Sequence, residues 1–324
     1  MSQRVYHGIG SFDSATASVV AIGNFDGVHR GHQRVLTSAC ALARREGLLP
    51  VVLTFDPHPA EVLAGAKLAR LTSLSRKVEL LLRQDPELVV VVEPFVPELA
   101  LMTPEDFAAE MLAHGLGARH VLVGENFRFG HQRRGDLALL SKLGERLGFR
   151  AAALDLFGDA GGSYSSTRVR EALALGDLAS ATAILGRPHA LVGSVVVGDR
   201  RGRTLGFPTA NLDGVAEQLP KNGVYATAVD LEGSDTVERL ALGALNIGVR
   251  PTVGAGPSTE VHLLDFSGDL YGKTLRVHLM HYLRSEQRFD GLPALVRQLE
   301  ADVERVRREL GSLCPAADAG GAWF

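Results

Sequence analysis

Residues 19–32 read VVAIGNFDGVHRGH, and the pattern of this segment indicates the type of fold in the first half of the chain. Val19–Ile22 is an apolar run of strand length, and a glycine-rich loop follows it. The segment after the loop predicts a helix, because its apolar residues recur on one helical face: Val35, Leu36, Ala39 and Leu42. The loop is therefore expected at the carboxyl end of a strand. Open α/β sheets bind ligands at that edge, and a helix N-terminus favours phosphate oxygens.

Short apolar runs alternate with helical patterns through the rest of the first half. The predicted strands are Val19–Ile22, Leu49–Thr54, Leu88–Val92 and His120–Val123. Thr103 and Pro104 indicate the start of a helix, with the threonine as N-cap and the proline at the first helical position. Strands that alternate with helices predict an α/β domain, a Rossmann-like parallel sheet with right-handed crossovers.

The second half has a different pattern, because its strands follow one another without helices. They are predicted at Leu191–Val197, Gly223–Leu231, Leu240–Ile247, Glu260–Phe266 and Thr274–Leu283. This pattern predicts an all-β domain, an antiparallel barrel of Greek-key type. A terminal helix is expected after Asp290, packed on the barrel through apolar residues three and four apart. A glycine and a proline at residues 186–188 predict the boundary, giving domains 1–186 and 187–324.

Composition narrows the classes of function. A chain of 324 residues favours two domains, each with its own core. The net charge of −3 argues against nucleic acid as a partner. No apolar run reaches the roughly 18 residues of a membrane span, so no membrane partner is expected. Only two cysteines, Cys40 and Cys314, and no apolar leader after Met1 predict a cytoplasmic protein without disulfides. Composition does not indicate an oligomeric state.

His29 and His32 are the first candidate catalytic residues. They are three positions apart, so in the first turn of a helix they project from one face and can donate hydrogen bonds to the same phosphates. Gly27 and Gly31 allow the backbone to approach phosphate closely. Two histidines directly after a strand and a glycine-rich loop favour stabilisation of transition-state charge over a structural role.

Residues 23–32, GNFDGVHRGH, resemble the HxGH nucleotidyltransferases and, more narrowly, the adenylyltransferase half of the bifunctional riboflavin kinase/FAD synthetases. The resemblance implies that the loop binds ATP phosphates through Gly23, Asn24, Phe25, Asp26 and Gly27. It also implies that His29 and His32 act at the reacting phosphate. Arg30 and Tyr164 depart from the family's pattern, at positions outside the proposed catalytic groups.

Three further strings support this resemblance. TFDPHP at 54–59 implies flavin contacts from Phe55, Asp56, Pro57, His58 and Pro59, where a plain proline-rich turn is the alternative. GENFRFG at 124–130 implies a nucleotide or flavin-phosphate contact from Asn126, while its phenylalanines can equally fill the core. SSTRVR at 165–170 implies that Ser165, Ser166, Thr167 and the catalytic Arg168 grip the triphosphate, although Ser-Ser-Thr is also a common capping pattern.

The second half carries a glycine-rich, basic loop, GDRRGRTLGFPTAN at residues 198–211, of a kind whose N–H groups can cradle phosphates. The string resembles the riboflavin kinase signature. The resemblance implies ATP phosphate contacts from Gly202, Arg203 and Thr204, and Mg²⁺ ligands from Thr209 and Asn211, since this cation prefers oxygen. It makes Glu260 the catalytic base, with a surface glutamate as the alternative. Further matches at 223–225, 246–252 and 269–272 extend the likeness over nearly the whole chain.

The resemblance implies two activities that consume ATP with Mg²⁺. Riboflavin is expected to be phosphorylated to FMN in the second domain, and FMN to be adenylylated to FAD in the first with release of pyrophosphate. The expected partners are riboflavin, FMN and ATP. An aminoacyl-tRNA synthetase also carries HxGH, but the KMSKS loop and a tRNA-binding domain are missing from this sequence. A flavin-binding regulator with decayed sites would have lost His29, His32, Thr209, Asn211 or Glu260, and all five are present.

Overall fold

Six strands in the first half form the predicted parallel sheet, and the four central ones are largely buried. The structure is a computed structural model that describes residues 4–65, 69–155, 157–198, 202, 205–233, 236–249, 257–313 and 321–324. Contacts divide these residues into two compact units: one holds 4–65 and 74–166, the other 69–73 and the described part of 167–324.

The sheet has the spatial order β1-β4-β3-β2-β5-β6. Its strands are β1 (Val5–His7), β2 (Ser18–Ile22), β3 (Leu49–Asp56), β4 (Val89–Pro94), β5 (Ala118–Gly124) and β6 (Arg150–Leu154). The four predicted strands, β2 to β5, are confirmed with small shifts at their ends. The sequence pattern does not predict the two edge strands, because β1 is short and the alanines of β6 favour helix over strand.

Helices cover both faces of the sheet. They are α1 (Arg30–Glu46), α2 (Pro59–Ala64), α3 (Leu74–Leu82), α4 (Pro97–Leu101), α5 (Pro104–Asp106) and α6 (Leu137–Leu147). The predicted start at Thr103 is confirmed, since its side chain accepts the Asp106 N–H, and the helix continues as a π-helix over Phe107–Gly115. Alternate strand residues face opposite cores: Val20 and Leu53 pack towards the π-helix and α6, and Val19 and Val52 towards α1 and α3.

A hairpin of β7 (Gly158–Asp159) and β8 (Gly162–Ser163) follows the sheet, and two helices, α7 (Ser166–Leu175) and α8 (Leu178–Leu185), come next. Gly186 caps α8 in a left-handed conformation, and the first barrel strand starts at Ala190. The change of pattern predicted at residues 186–188 therefore coincides with the end of a helix. Thr167 onwards clusters with the barrel, so α7 and α8 are described with the second unit.

Six antiparallel strands close the predicted barrel in the order β10-β13-β12-β11-β14-β9. They are β9 (Ala190–Val196), β10 (Thr209–Asp213), β11 (Gly223–Glu232), β12 (Val237–Val249), β13 (Pro257–Leu263) and β14 (Thr274–Arg284). The order 14-11-12-13 is a Greek key. The sequence pattern does not predict strand β10. Only one of its five residues, Leu212, is fully buried, so it lacks an apolar run. Interior positions such as Leu212, Leu245 and Val261 alternate with outward-facing ones.

The terminal helix α9 (Leu292–Leu310) packs on the outside of the barrel, as predicted. Val306 and Leu310 contact outward-facing apolar residues of β11, among them Val224 and Ala226. The only tryptophan of the chain, Trp323, also lies on the outer barrel surface, where its indole Nε1–H donates to the Val229 carbonyl at 3.2 Å. Among the described residues, no helix is both long and apolar enough to cross a membrane.

We predict that Leu310→Ala destabilises the barrel unit by about 2–5 kcal/mol, because Leu310 is 1% exposed and its loss leaves a cavity under α9. Urea unfolding followed by Trp323 fluorescence measures this unit. Leu292→Ala on the same helix is the matched control, since Leu292 is 61% exposed and its truncation is expected to change stability little. Equal effects of the two substitutions would contradict the packing of α9 on the barrel.

Candidate active sites

The loop between β2 and α1 has an unusual backbone. Phe25, Gly27 and Val28 have φ angles of 51°, 80° and 40°. Positive φ is open to glycine but costs a phenylalanine or a β-branched valine free energy, and such strain persists only where the surroundings hold it. The side chain of Phe25, 1% exposed, is anchored in the core beneath the loop. The loop thus has a strained backbone at the carboxyl edge of the sheet, and the buried Phe25 ring anchors it.

The two histidines meet at the start of α1. His29 is the N-cap, and its Nδ1 accepts the backbone N–H of His32 at 3.3 Å. Because Nδ1 is the acceptor, the neutral ring carries its proton on Nε2, which can donate. The two rings stack with centroids 3.5 Å apart, and the His32 ring also contacts Phe25 edge-on at 5.1 Å. His29 therefore precedes the helix instead of lying in its first turn, but the predicted proximity of the rings is confirmed.

Gly31 allows two other parts of the chain, the His29 ring and the Tyr164 carbonyl, to approach α1 closely. A Cβ atom there would lie 3.0 Å from His29 Nδ1 and 3.4 Å from the Tyr164 carbonyl. The strand-to-helix connection at 164–166 thus lies against the loop that ends at His29, and the Ser166 hydroxyl donates to the Asp26 carbonyl at 2.8 Å. The structure therefore places Ser166 against residues 23–27, which are predicted to bind ATP phosphates and are called the ATP loop below.

The remaining residues of SSTR lie around the start of α7. Ser165 precedes the helix and is half-buried, Thr167 is exposed, and Arg168 is half-buried and belongs with the second compact unit. Ser166 is the first residue of the helix. The sequence thus places this motif correctly at a helix N-terminus.

The flavin candidate, residues 55–59, connects β3 to α2. Phe55 is 8% exposed and packs edge-on against Phe95, with ring centroids 5.8 Å apart, so most of its ring faces the core. Asp56 and Pro57 are half-buried at the end of the strand. His58 caps α2 by accepting the Ala60 N–H, and Pro59 opens that helix. A flavin contact from this turn stays a prediction.

Lys77 is a residue that the sequence motifs missed. It lies on α3, is 7% exposed, and its ammonium donates to the Asn24 carbonyl, the Thr54 hydroxyl and the Phe55 carbonyl at 3.4, 3.2 and 3.0 Å. It therefore joins the loop that follows β2 to the last residues of β3. No local signal marks it, because a lysine in an amphipathic helix is usually a solvated residue.

Asn126 lies in the turn after β5, the neighbour of β2, and its side chain is exposed. Phe127 and Phe129 stack on each other with centroids 5.5 Å apart, and Phe129 is buried in the core. The structural interpretation of the two aromatic residues is confirmed. Asn126 itself lies on the same edge of the sheet as residues 23–29, the loop that ends at His29 and is called the histidine loop below.

The second site forms where three barrel strands pair. Glu260 on β13 lies directly opposite Asn211 on β10 and Asn246 on β12. One carboxylate oxygen of Glu260 accepts the Thr209 hydroxyl at 3.4 Å, and the other accepts the Ser258 hydroxyl at 2.9 Å. Residues two apart on a strand share a face, so Thr209 and Asn211 point the same way. The structure thus brings together the residues predicted for metal binding and catalysis.

A cavity of about 300 Å³ lies between this cluster and α9. Thr209, Asn246 and Glu260 line its polar end. Its apolar wall is formed by Phe207 and by three residues of the helix, Leu295, Leu299 and Val303. Its size suits one small aromatic ligand. A larger cavity of about 510 Å³ lies at the amino ends of β3 and β4, away from every candidate residue of the sheet.

An ion pair that the sequence does not reveal fixes the helix over this cavity. The guanidinium of Arg284, at the end of β14, binds the Asp302 carboxylate of α9 through two nitrogens at 2.6 and 2.9 Å. Gln298 donates to the same carboxylate at 2.9 Å. Asp302 is buried, so removing Arg284 would leave a buried charge uncompensated. The position of α9, and with it the apolar wall, depends on this pair.

The basic loop before β10 is described in part. Gly202 lines the cavity, whereas Arg203 and Thr204 lie outside the described residues. Gly198 packs directly against the side chain of Asn211, and a Cβ atom there would lie 2.8 Å from Asn211 Oδ1. Only glycine leaves the Asn211 amide in its present position.

Two family models match the chain in succession. The FAD synthetase model matches residues 11–168, and the riboflavin kinase model matches residues 185–310. A bifunctional riboflavin kinase/FMN adenylyltransferase of Escherichia coli K12 is 42% identical over 300 residues, which are 92% of this chain and 94% of that protein. The chain belongs to this bifunctional family. Its FAD synthetase region contains the histidine loop, and its riboflavin kinase region contains the barrel.

Other relatives agree over similar lengths. A Pseudomonas fluorescens protein described by the same two activities is 39% identical and covers 89% of this chain and 92% of its own. A solved structure from Streptococcus pneumoniae, described as a macrolide-efflux protein, is 28% identical, with a TM-score of 0.82 over 94% of this chain and 99% of that one. That likeness supports the fold of the whole chain.

We predict that Gly198→Ala lowers the riboflavin kinase rate about 100-fold, because the added methyl group displaces the Asn211 amide by about an ångström. FMN formation from riboflavin measures the rate. Gly311→Ala is the matched control in the same unit, since a Cβ atom there meets nothing within 4 Å. An unchanged kinase rate in Gly198→Ala would show that the position of Asn211 does not matter.

Proposed function

We propose that this chain makes FAD from riboflavin in two steps, with riboflavin phosphorylated at the barrel and FMN adenylylated at the parallel sheet. The observation that carries the proposal is the meeting of Thr209, Asn211 and Glu260 beside a cavity of suitable size. Family membership supports both activities. We assign the adenylyltransferase to residues 1–186 and the kinase to residues 187–324, as the sequence predicts.

In the kinase step, Glu260 serves as the general base. The ring of riboflavin occupies the apolar wall of the cavity, and the ribityl chain brings its terminal hydroxyl to the polar end. Glu260 takes the proton of that hydroxyl as the oxygen bonds to the γ-phosphorus of ATP, and the bond to the β-phosphate oxygen breaks, releasing ADP. The Ser258 hydroxyl, 2.9 Å from one carboxylate oxygen, orients the base.

The donor set beside Glu260 fits Mg²⁺. Thr209 and Asn211 offer neutral side-chain oxygens, and the described residues contain no cluster of three His, Cys, Asp or Glu side chains. A cation here would take most of its ligands from phosphate oxygens and water, as Mg²⁺ commonly does in kinases. Thr209 and Asn211 would hold it. Its chemistry is to neutralise charge on the transferred phosphate.

In the adenylyltransferase step, an oxygen of the FMN phosphate attacks the α-phosphorus of ATP, and the bond to the β-phosphate oxygen breaks to release pyrophosphate. No proton needs to leave the nucleophile. The chain's task is to place the two phosphates and to stabilise the added charge. The Nε2–H of His29, the ring of His32 and the amino end of α1 supply donors and a positive dipole for that purpose. Ser165, Ser166, Thr167 and Arg168 hold the triphosphate.

We also infer a cytoplasmic location and small-molecule partners only, namely riboflavin, FMN and ATP. Burial raises the pKa of the Cys40 thiol to about 12, so this cysteine stays protonated and unreactive.

Incubation of the purified chain with riboflavin, ATP and Mg²⁺ tests the proposal under both reducing and oxidising conditions. Absence of FMN and FAD from the separated products would overturn it.

We predict that His32→Ala blocks FAD synthesis and lets FMN accumulate, with the adenylyltransferase rate falling about 10²–10³-fold because charge stabilisation at the α-phosphate is lost. Chromatography of the flavins separates the two products. His114→Ala provides the control, because its side chain is 70% exposed in the same unit. Loss of FMN formation as well would contradict independent sites.

We predict the opposite outcome for Asn211→Ala. FMN formation should fall about 100-fold, because the site loses a proposed metal ligand, while FMN supplied directly is still converted to FAD. The control is Asn222→Ala, an exposed asparagine of the same unit. If Asn211→Ala phosphorylates riboflavin at the rate of the unaltered chain, the proposed metal site is wrong.

A further inference from the structure

Lys77 is a charged residue that the proposed chemistry does not use. Its ammonium is buried and donates to three oxygens, Asn24 O, Thr54 Oγ1 and Phe55 O. Burial of a cation is unfavourable unless hydrogen bonds replace its water. All three acceptors belong to the carboxyl ends of β2 and β3, where the ATP loop and the flavin turn begin. The charge is therefore located where these two segments approach each other.

The described contacts of Lys77 are linked to one another. The Thr54 hydroxyl, which accepts from the ammonium, itself donates to the Asn24 carbonyl at 3.1 Å. Two donors from different elements thus converge on one backbone oxygen of the ATP loop. An ammonium has three N–H groups in a tetrahedral arrangement, whereas a guanidinium is planar, so lysine suits three converging acceptors.

The peptide that Lys77 holds leads directly into the strained part of the loop. The Asn24 carbonyl belongs to the planar peptide bond before Phe25, so fixing this oxygen fixes the orientation of the whole unit. Phe25 and Val28 then adopt positive φ angles of 51° and 40°. Strain of this kind needs anchors on both sides. The buried Phe25 ring is one anchor, and the Lys77 ammonium is the other.

The same loop leads to the histidines, with His29 at its end and His32 in the first turn of α1. The Phe25 ring contacts the His32 ring edge-on, and the His32 ring stacks on His29. A rotation of the Asn24 peptide would move the Phe25 ring and, through it, both imidazoles. A chain of direct contacts therefore runs from Lys77 to the groups proposed to act on the α-phosphate.

We propose that Lys77 is a positioning residue for adenylyl transfer. Its ammonium clamps the ATP loop to the flavin turn and thereby sets the His32 and His29 rings for the transition state. This inference rests on the proposed function of the first site. Because positioning acts on the transition state, it should change kcat much more than the KM of either substrate.

The test compares Lys77→Met, Lys77→Arg and the unaltered full-length chain, with FMN, ATP and Mg²⁺ supplied. We expect Lys77→Met to lower kcat for FAD formation about 100-fold, with the KM of FMN and of ATP nearly unchanged. Lys77→Arg should recover part of the loss, since it keeps the charge but not the geometry. Lys142→Met, at an exposed lysine on α6 of the same unit, should have no effect.

Two further measurements separate positioning from folding. Riboflavin phosphorylation by the same sample reports on the barrel unit and should be unchanged. Single-turnover formation of FAD with saturating enzyme in excess gives a rate constant that does not depend on the fraction of molecules that are folded. If Lys77→Met does not fold, Thr54→Val carries the test, because it removes the hydroxyl but keeps the side-chain shape. We expect about a tenfold fall in kcat from that change.

A kcat per active site within twofold of the unaltered chain would overturn the role of Lys77, as would a change confined to KM. Failure of the unaltered chain to form FAD would be a different result. It would overturn the proposed function, and the positioning role with it, because there would be no reaction to position. The two failures are therefore distinguished by the unaltered chain alone.

Discussion

Hydrogen bonding between neighbouring strands is the constraint on which both sites depend. In the sheet, the parallel pairing of β2 with β3 brings Asn24 and Thr54 into contact at the carboxyl edge. In the barrel, the antiparallel pairing of β13 with its neighbours sets Glu260 opposite Asn211 and Asn246. A shift of one residue in either register would turn these side chains to the other face of the strand. Strand pairing therefore positions the chemical groups as well as building the cores.

The two units use their cores to support different kinds of site. In the first, a buried aromatic ring holds a backbone loop in a conformation that it would not adopt alone, and this loop leads to the two histidines at the carboxyl edge of the sheet. In the second, the barrel is filled by its own side chains, so the site lies on the outer wall and needs α9 to complete it. The Arg284–Asp302 ion pair and the packing of Leu310 hold that helix in place.

Much of this could be predicted from local sequence. The strands β2 to β5 are continuous apolar runs, and α9 has a clear amphipathic repeat, so periodicity was sufficient for them. The edge strands β1 and β6 and the polar strand β10 could not be predicted, because β1 is short, β6 is rich in alanine and only Leu212 of β10 is fully buried, so that no local pattern marks them. The same holds for Lys77 and for Arg284, whose partners lie on other elements.

The types of domain, their order and the chemical groups at each site could be predicted from sequence alone, because they follow from short periodic patterns and from motifs whose residues are adjacent. Which of these groups come into contact depends on the folded chain. His29 proved to be the N-cap stacked on His32, Phe55 turned its ring to the core, and Glu260 came to lie beside Thr209. The physical reason is that strand register and core packing fix the contacts between distant residues. Neither can be predicted from the local sequence around one of the two contacting residues.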